Sequence, residues 1–361
     1  MSRRELRRHA GRLAVVGFTG SSVPDDLRRF VAAFDLGGVI YFARNVVEPR
    51  QVAELSQEVA SLARDWPLWV SVDQEGGRVA RLKAPFTEWP AAVTLGRSAD
   101  ERLAERFAAA LAAELSAVGI NLDYAPVLDV HTNPENPVIG DRALADRAEI
   151  VASLGAAIVR TLQTAGVAAC GKHFPGHGDT SVDSHEAVPL VRHDRRRLDA
   201  VEFAPFRRAI AEGVAAIMTA HVVAAALDNE RVASLSRTVV SDVLKGSLGF
   251  EGVVISDDLG MKAVSASLPL ADAAVAAVAA GCDVVLLCND RPDDQVAAIE
   301  TLIRAVEAGT IPETRIDDAF GRQRRVKERF ADSFRRPPAD ALDLVGCARH
   351  QDVAREMAAW R

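Results

Sequence analysis

Cysteine is scarce in this chain. Four occur in 361 residues, Cys170, Cys282, Cys288 and Cys347, with no C-x-x-C among them. Three lie in or beside apolar runs, so buried free thiols are the reading, which fits a reducing cytoplasm. Basic charge is in deficit: Lys and Arg number 43 against 50 Asp and Glu, a net charge of −7, with a pI near 5.7. That argues against a nucleic-acid or anionic-membrane partner. The early Arg3, Arg4, Arg7 and Arg8 read as one solvated helix face. No apolar run reaches the roughly 18 residues of a membrane span. The longest candidate, Ala271 to Leu287, is broken by Asp272, Gly281 and Asp283. Ser2-Arg3-Arg4 starts like a twin-arginine export signal, but residues 5–12 are polar and Leu13 to Phe18 is too short for an h-region. That run reads as a first strand. There is no Pro/Ser-rich linker, no low-complexity tract and no evident internal repeat.

Eight short apolar runs, mostly Val- and Ile-rich, stand out instead. They are Leu13–Phe18, Gly38–Phe42, Leu68–Val72, Ile120–Val130, Val167–Cys170, Ala215–Thr219, Gly252–Ile255 and Asp283–Leu287. Helix-like stretches lie between them. Ala99–Val118 places Leu103, Phe107, Leu111 and Leu115 on one face, and Arg147–Thr164, Arg195–Glu212, Thr238–Leu248 and Leu268–Ala280 behave similarly. Eight alternations predict a single (β/α)8 TIM-type barrel, an α/β fold, with a doubly wound sheet as the rival. The expected organisation is a barrel over residues 1–335. After the break at Arg335-Arg336-Pro337-Pro338 comes a C-terminal helical appendage, 336–361, with one helix at Ala348–Trp360 and no second α/β domain.

In a parallel barrel, function gathers at the C-terminal ends of the strands. Ionisable residues fall there repeatedly: Asp73; Asp123 and Asp129; Lys172 and His173; His221; Asp257 and Asp258; Asn289 and Asp290. Helix capping accounts for one such residue, not for six strand ends at once. The densest stretch is K-H-F-P-G-H-G-D-T-S-V-D-S-H, Lys172 to His185, which puts ionisable groups at the end of a buried strand on a Gly/Pro loop. Its Asp183-Ser184-His185 spacing lets a carboxylate hold one imidazole nitrogen while the other faces a substrate. Plainer roles compete: a loop ion pair for Asp183 and His185, a helix N-cap for Asp257, a turn cap for Asp73, and packed histidines at 173, 177 and 221.

Four motifs, in order, resemble glycoside hydrolase family 3, and more narrowly its β-N-acetylglucosaminidase (NagZ-type) branch. They are V-D-Q-E-G-G-R at Val72–Arg78, N-P-V-I-G-D-R at Asn136–Arg142, K-H-F-P-G-H-G-D-T…D-S-H from Lys172, and S-D-D-L-G-M at Ser256–Met261. The resemblance covers about residues 10–330 and implies a retaining exo-glycosidase. Asp257 would be the nucleophile, His185 the general acid/base and Asp183 its partner. Asp73, Arg142, Lys172 and His173 would bind hydroxyls of the sugar being cleaved, with Arg81 a weaker match. An imidazole with a pKa of about 6.5 can give and take a proton near neutrality, so a His acid/base is chemically sound. Gly260 departs from the branch, which often has Ser there; the expected effect is on the loop behind the nucleophile. The implied substrate is a small GlcNAc-terminated glycoside such as a peptidoglycan fragment. No cofactor or metal is implied, nor any nucleic-acid partner, and the oligomeric state is left open. Alternatives are a β-glycoside phosphorylase, a β-glucosidase, and a metal-dependent barrel hydrolase using His173, His177, His185, His221 and Asp257. Against the last, no H-x-H follows the first strand. If the barrel reading holds, Asp73, Arg142, Lys172, His173 and Asp257 must meet in one pocket, although their motifs leave four different strands.

Overall fold

A computed structural model describes residues 2–182, 188–289 and 291–361. Eight parallel strands close into a barrel in strict chain order. They are β1 (Ala14–Gly17), β2 (Gly38–Tyr41), β3 (Trp69–Val72), β4 (Leu122–Asp123), β5 (Ala168–Phe174), β6 (Ala216–Thr219), β7 (Val253–Asp258) and β8 (Val284–Leu287). Each matches one of the eight apolar runs, and the barrel displaces the doubly wound alternative. The strand residues are buried throughout except Asp257 and Asp258, because helices cover the outside and side chains fill the inside. Alternate residues divide accordingly. Val15, Ile40, Trp69, Leu122, Met218, Ile255 and Leu286 form the interior, while Val16, Val39, Val70, Ile217, Val254 and Val285 face the helices.

The lower end of the barrel is plugged. Helix Glu313–Arg329 sends Val326 and the following Phe330 into the interior cluster, where Phe330 meets Trp69 edge-on at 6.4 Å. Lys327, also buried, donates to the carbonyls of Gly37 and Pro67. A groove of about 560 Å³ opens at this end, lined by Trp66, Pro67, Phe334 and Pro337 among others. None of the candidate site residues touches it, and this end of such a barrel carries stability, not chemistry.

Two strands depart from the expectation in ways that shape the upper end. β4 pairs over two residues only; beyond it a single bridge joins Val127 to Lys172, because Pro126 supplies no amide to a ladder. β5 runs through Phe174 and β7 through Asp258. Lys172, His173, Asp257 and Asp258 therefore belong to the strands and are not on the loops after them, which holds them more firmly than a loop would.

The C-terminal residues dock on the barrel's outer helices. Helix Ala348–Ala358 packs on helix Glu101–Ala117, joined through the buried Glu114. Its carboxylate accepts from Thr87 N (2.9 Å) and Thr87 Oγ1 (2.6 Å), from Gly346 N (3.0 Å), and it meets His350 Nδ1 at 2.9 Å. Glu114→Ala would strand four polar groups at once, three of them buried. It should destabilise the protein by about 3 kcal/mol, read by denaturant unfolding; a loss under about 1 kcal/mol would show that these bonds do not secure the tail.

Candidate active site

The upper ends of the strands surround a pocket of about 420 Å³. Ile40, Met218 and Leu286 from the barrel interior form its floor, and Asp73, Arg81, Arg142, Lys172, His173 and Asp257 all line it. The five residues required to converge do so.

Behind its lining Lys172 and Arg142 share one buried carboxylate. Lys172 Nζ lies 2.6 Å from Glu75 Oε1 and donates to Asp73 Oδ1 at 2.6 Å. Arg142 grips Glu75 with a two-point fork, Nε to Oε2 at 2.9 Å and Nη2 to Oε1 at 2.8 Å. Burial works against the charge of Glu75 and Lys172. Burial raises Glu75, but Lys172 and Arg142 more than offset it and hold the carboxyl far below its ordinary range. Burial lowers Lys172, but Asp73 and Glu75 more than offset it and keep the ammonium charged.

A hairpin after β3 delivers Glu75. Gln74–Gly76 pairs antiparallel with Val79–Ala80, and the turn needs left-handed backbone at Gly76 and Gly77, with φ of 97° and 56°. Gln74 pins it: its N–H donates to Asp123 Oδ1, and its Oε1 accepts from the amides of Arg81 and Leu82. Arg81 is thereby held over the Phe42 ring at 5.5 Å, 3.7 Å from Asp73 Oδ2.

Asp129, fully buried, organises the other wall. Its carboxylate meets His173 Nδ1 at 2.7 Å and accepts from the amide of His177 at 2.6 Å. Burial raises Asp129, but His173 and His177 more than offset it and hold it ionised. His177 goes the other way. Burial lowers it, against the pull of Asp129, to about 4, so its ring is neutral near pH 7; its Nδ1 meets Thr180 Oγ1 at 2.7 Å. Gly178 seals the join: a Cβ there would stand 1.9 Å from the carbonyl oxygen of Val130.

The two aspartates of S-D-D occupy different environments. Asp257 Oδ1 accepts the amide of Asp258 at 2.8 Å. Burial raises Asp257, but His221, His173, that amide and Lys172 more than offset it and hold it below the ordinary value. Asp258 instead points into the backbone, accepting from Cys288 N (3.1 Å) and Gly260 N (3.2 Å), and burial raises it on balance. Behind both sits His221, fully buried. Its Nε2 lies 2.9 Å from the Asp258 carbonyl and so carries the proton, and its Nδ1 lies 2.7 Å from Ser234 Oγ. His221 positions the loop and does not reach the rim as a free group.

Asp183 and His185 lie outside the described residues. Glu75 and Asp129 are the residues whose roles the sequence did not give. Glu75 sits inside V-D-Q-E-G-G-R, and the Gly-Gly turn after it is the one signal that its side chain is folded inward.

Glu75→Gln keeps the shape and removes the shared charge. It should destabilise the fold by about 3 kcal/mol at neutral pH. Because the folded carboxyl lies below its unfolded value of 4.5, this contribution is complete above that pH and is lost as pH falls toward the folded value. The stability gap between wild type and Glu75→Gln should therefore narrow on acidification in calorimetry; a gap that widens contradicts the network.

Comparison with known proteins agrees with this geometry. Residues 5–326 match the family model described as the glycosyl hydrolase family 3 N terminal domain. A curated β-hexosaminidase of Alkalilimnicola ehrlichii is 41% identical over 281 residues, 76% of this chain and 80% of that one. The solved family 3 β-N-acetylglucosaminidase of a Paenibacillus species superposes with a TM-score of 0.94 at 44% identity, covering 98% of this chain and 68% of that one. NagZ of Neisseria gonorrhoeae superposes with a TM-score of 0.79 at 32% identity, covering 96% and 97%. With the match running through every barrel strand and every motif lining the pocket, this chain belongs to glycosyl hydrolase family 3.

Proposed function

We propose that the chain is a retaining exo-β-N-acetylglucosaminidase. It releases a terminal β-linked GlcNAc from a small glycoside, a peptidoglycan fragment being the substrate we favour and the cytoplasm its setting. No helix among the described residues is long and apolar enough to cross a membrane. The observation that carries the reading is the company Asp257 keeps. An ionised carboxylate shares one pocket with the cations Lys172 and Arg142, with Asp73 and with His173, above a floor closed by the barrel core. A floored pocket receives the end of a glycan and not its interior.

In this reading Asp73, Arg142, Lys172 and His173 hold the hydroxyls of the terminal sugar, with Arg81 at the edge. Glu75 and Asp129 hold Arg142, Lys172 and His173 in place before substrate arrives, so binding needs little reorganisation. Asp257 Oδ1 is occupied by the Asp258 amide, and Oδ2 is assigned to attack the anomeric carbon. As that bond forms, the bond to the leaving oxygen breaks, and His185 gives this oxygen its proton. The product is a glycosyl ester on Asp257 and a neutral imidazole. His185 then takes a proton from water, which attacks the same carbon, expels the Asp257 carboxylate and retains the configuration. Asp183 orients the imidazole and favours its charged form. The roles of Asp183 and His185 rest on their motif.

The metal reading has less support. Both ring nitrogens of His221 have partners within the protein, and His173 Nδ1 faces Asp129. Among the described residues no three His, Cys, Asp or Glu side chains gather at ligand spacing. Assays on paired nitrophenyl β-GlcNAc and β-glucoside, with and without phosphate, separate hydrolase from phosphorylase and fix the preferred sugar.

Two further outcomes test the roles. Asp257→Ala should lower turnover by several orders of magnitude, with no glycosyl-enzyme detected by mass spectrometry. Asp258→Ala should act on folding or loop geometry, and the assignment fails if it is the inactive one of the pair. His185→Ala should lower kcat/KM for a GlcNAc disaccharide far more than for a nitrophenyl glycoside, whose leaving group needs no proton. Equal losses on both would remove His185 as the acid.

A further inference from the structure

Asp183 and His185 sit on the segment between Thr180 and Pro189, and both stems of that segment are described. The upstream stem is jammed at Gly178 against Val130 and tied to the loop after β4, where Asn133 Nδ2 donates to the Thr180 carbonyl at 3.1 Å. The downstream stem, Leu190–Val191, pairs in parallel with Val223–Ala224 of the loop after β6. Neither anchor joins the stems to each other.

A contact across them does. Asp179 Oδ2 lies 2.5 Å from His193 Nε2, 14 positions further on. The other carboxylate oxygen accepts from Thr132 Oγ1 at 2.6 Å, which in turn accepts from Arg197 Nη2 at 3.1 Å. One carboxylate thus ties the outgoing stem to the returning one and to the loop after β4. Both side chains of the pair are 27% exposed, so their contribution to folding is small. What the contact fixes is the separation of the stems, and hence where the chain between them can place its side chains.

We propose that Asp179 and His193 are positioning residues for the acid/base pair, a clasp that sets the placement of His185 without touching substrate. The inference rests on the assignment of His185 given above, and its test keeps the two apart.

The test measures kcat/KM on a GlcNAc disaccharide and on nitrophenyl β-GlcNAc for His193→Ala, His193→Gln, His185→Ala and the double variant His185→Ala/His193→Ala. His193→Ala should lose roughly tenfold on the disaccharide, the order of loss that small misplacements of a catalytic group produce, and stay near wild type on the nitrophenyl substrate. His193→Gln, whose amide can still donate to Asp179, should recover most of the loss. In the His185→Ala background the His193 substitution should cost nothing more. Melting should stay within about 3 °C of wild type, as for a partly exposed pair. The clasp is overturned by equal loss on both substrates, by no loss, by a loss that persists without His185, or by a larger fall in melting temperature. If His185→Ala itself spares the disaccharide, the acid assignment has failed and the clasp falls with it.

Discussion

The pocket depends on the carboxylate of Glu75. Two cations, the buried Lys172 and the half-buried Arg142, lie at the mouth of an apolar barrel, where burial works against their charge. Among the described residues Glu75 is the one anion that touches both. Its burial cost is large, and the fork from Arg142 together with the point contact from Lys172 is the geometry in which such a cost can be offset. Asp73, bound to the same ammonium, is thereby held at the pocket wall with its second oxygen near Arg81. Remove the shared anion and Lys172 and Arg142 lose the partner that orients them both.

The same logic separates the adjacent carboxylates of β7. Asp257 looks into the pocket toward histidines and a lysine, and its charge is favoured; Asp258 turns away to hold backbone amides, and its charge is disfavoured. Environments that push two neighbouring groups in opposite directions mark distinct duties. His221 enforces the difference from behind, because a buried imidazole between Ser234 Oγ and the Asp258 carbonyl leaves the β7 terminus one orientation. The sequence left His221 open between a packed and a functional residue; it is a buried positioning residue.

The barrel was legible because both its strand faces are apolar. Eight Val/Ile-rich runs between helical stretches admit few arrangements, and each became a strand within a few residues of its expected place. The fourth was overestimated, since Ile120–Val130 is apolar throughout but Pro126 stops the ladder. The fifth and seventh were underestimated, because charged residues read as the end of a strand when a barrel continues through them to its rim. The pocket residues were legible through four motifs, not through spacing. Glu75 was missed for a physical reason: a charged residue beside two glycines has the pattern of an exposed turn, and only the fold reveals that Arg142, 67 positions away, comes to meet it.

The division between the two ends of the barrel explains how the chain tolerates so many buried charges. At the lower end Trp69, Val326 and Phe330 close the interior with apolar contact, and the buried Lys327 there spends its protons on two carbonyls. That end contributes burial and asks for no strained chemistry. The upper end carries Glu75, Asp123, Asp129, Lys172 and His177, all buried. Asp123 shows how far this goes: one oxygen accepts the Gln74 amide, the other has no partner, and burial pushes the group well above the ordinary aspartate value. Burial and the neighbouring Asp73 and Glu75 thus work against a third anion beside Lys172. The hairpin is anchored by an aspartate whose environment disfavours the charge that would disturb the balance on which Lys172 depends.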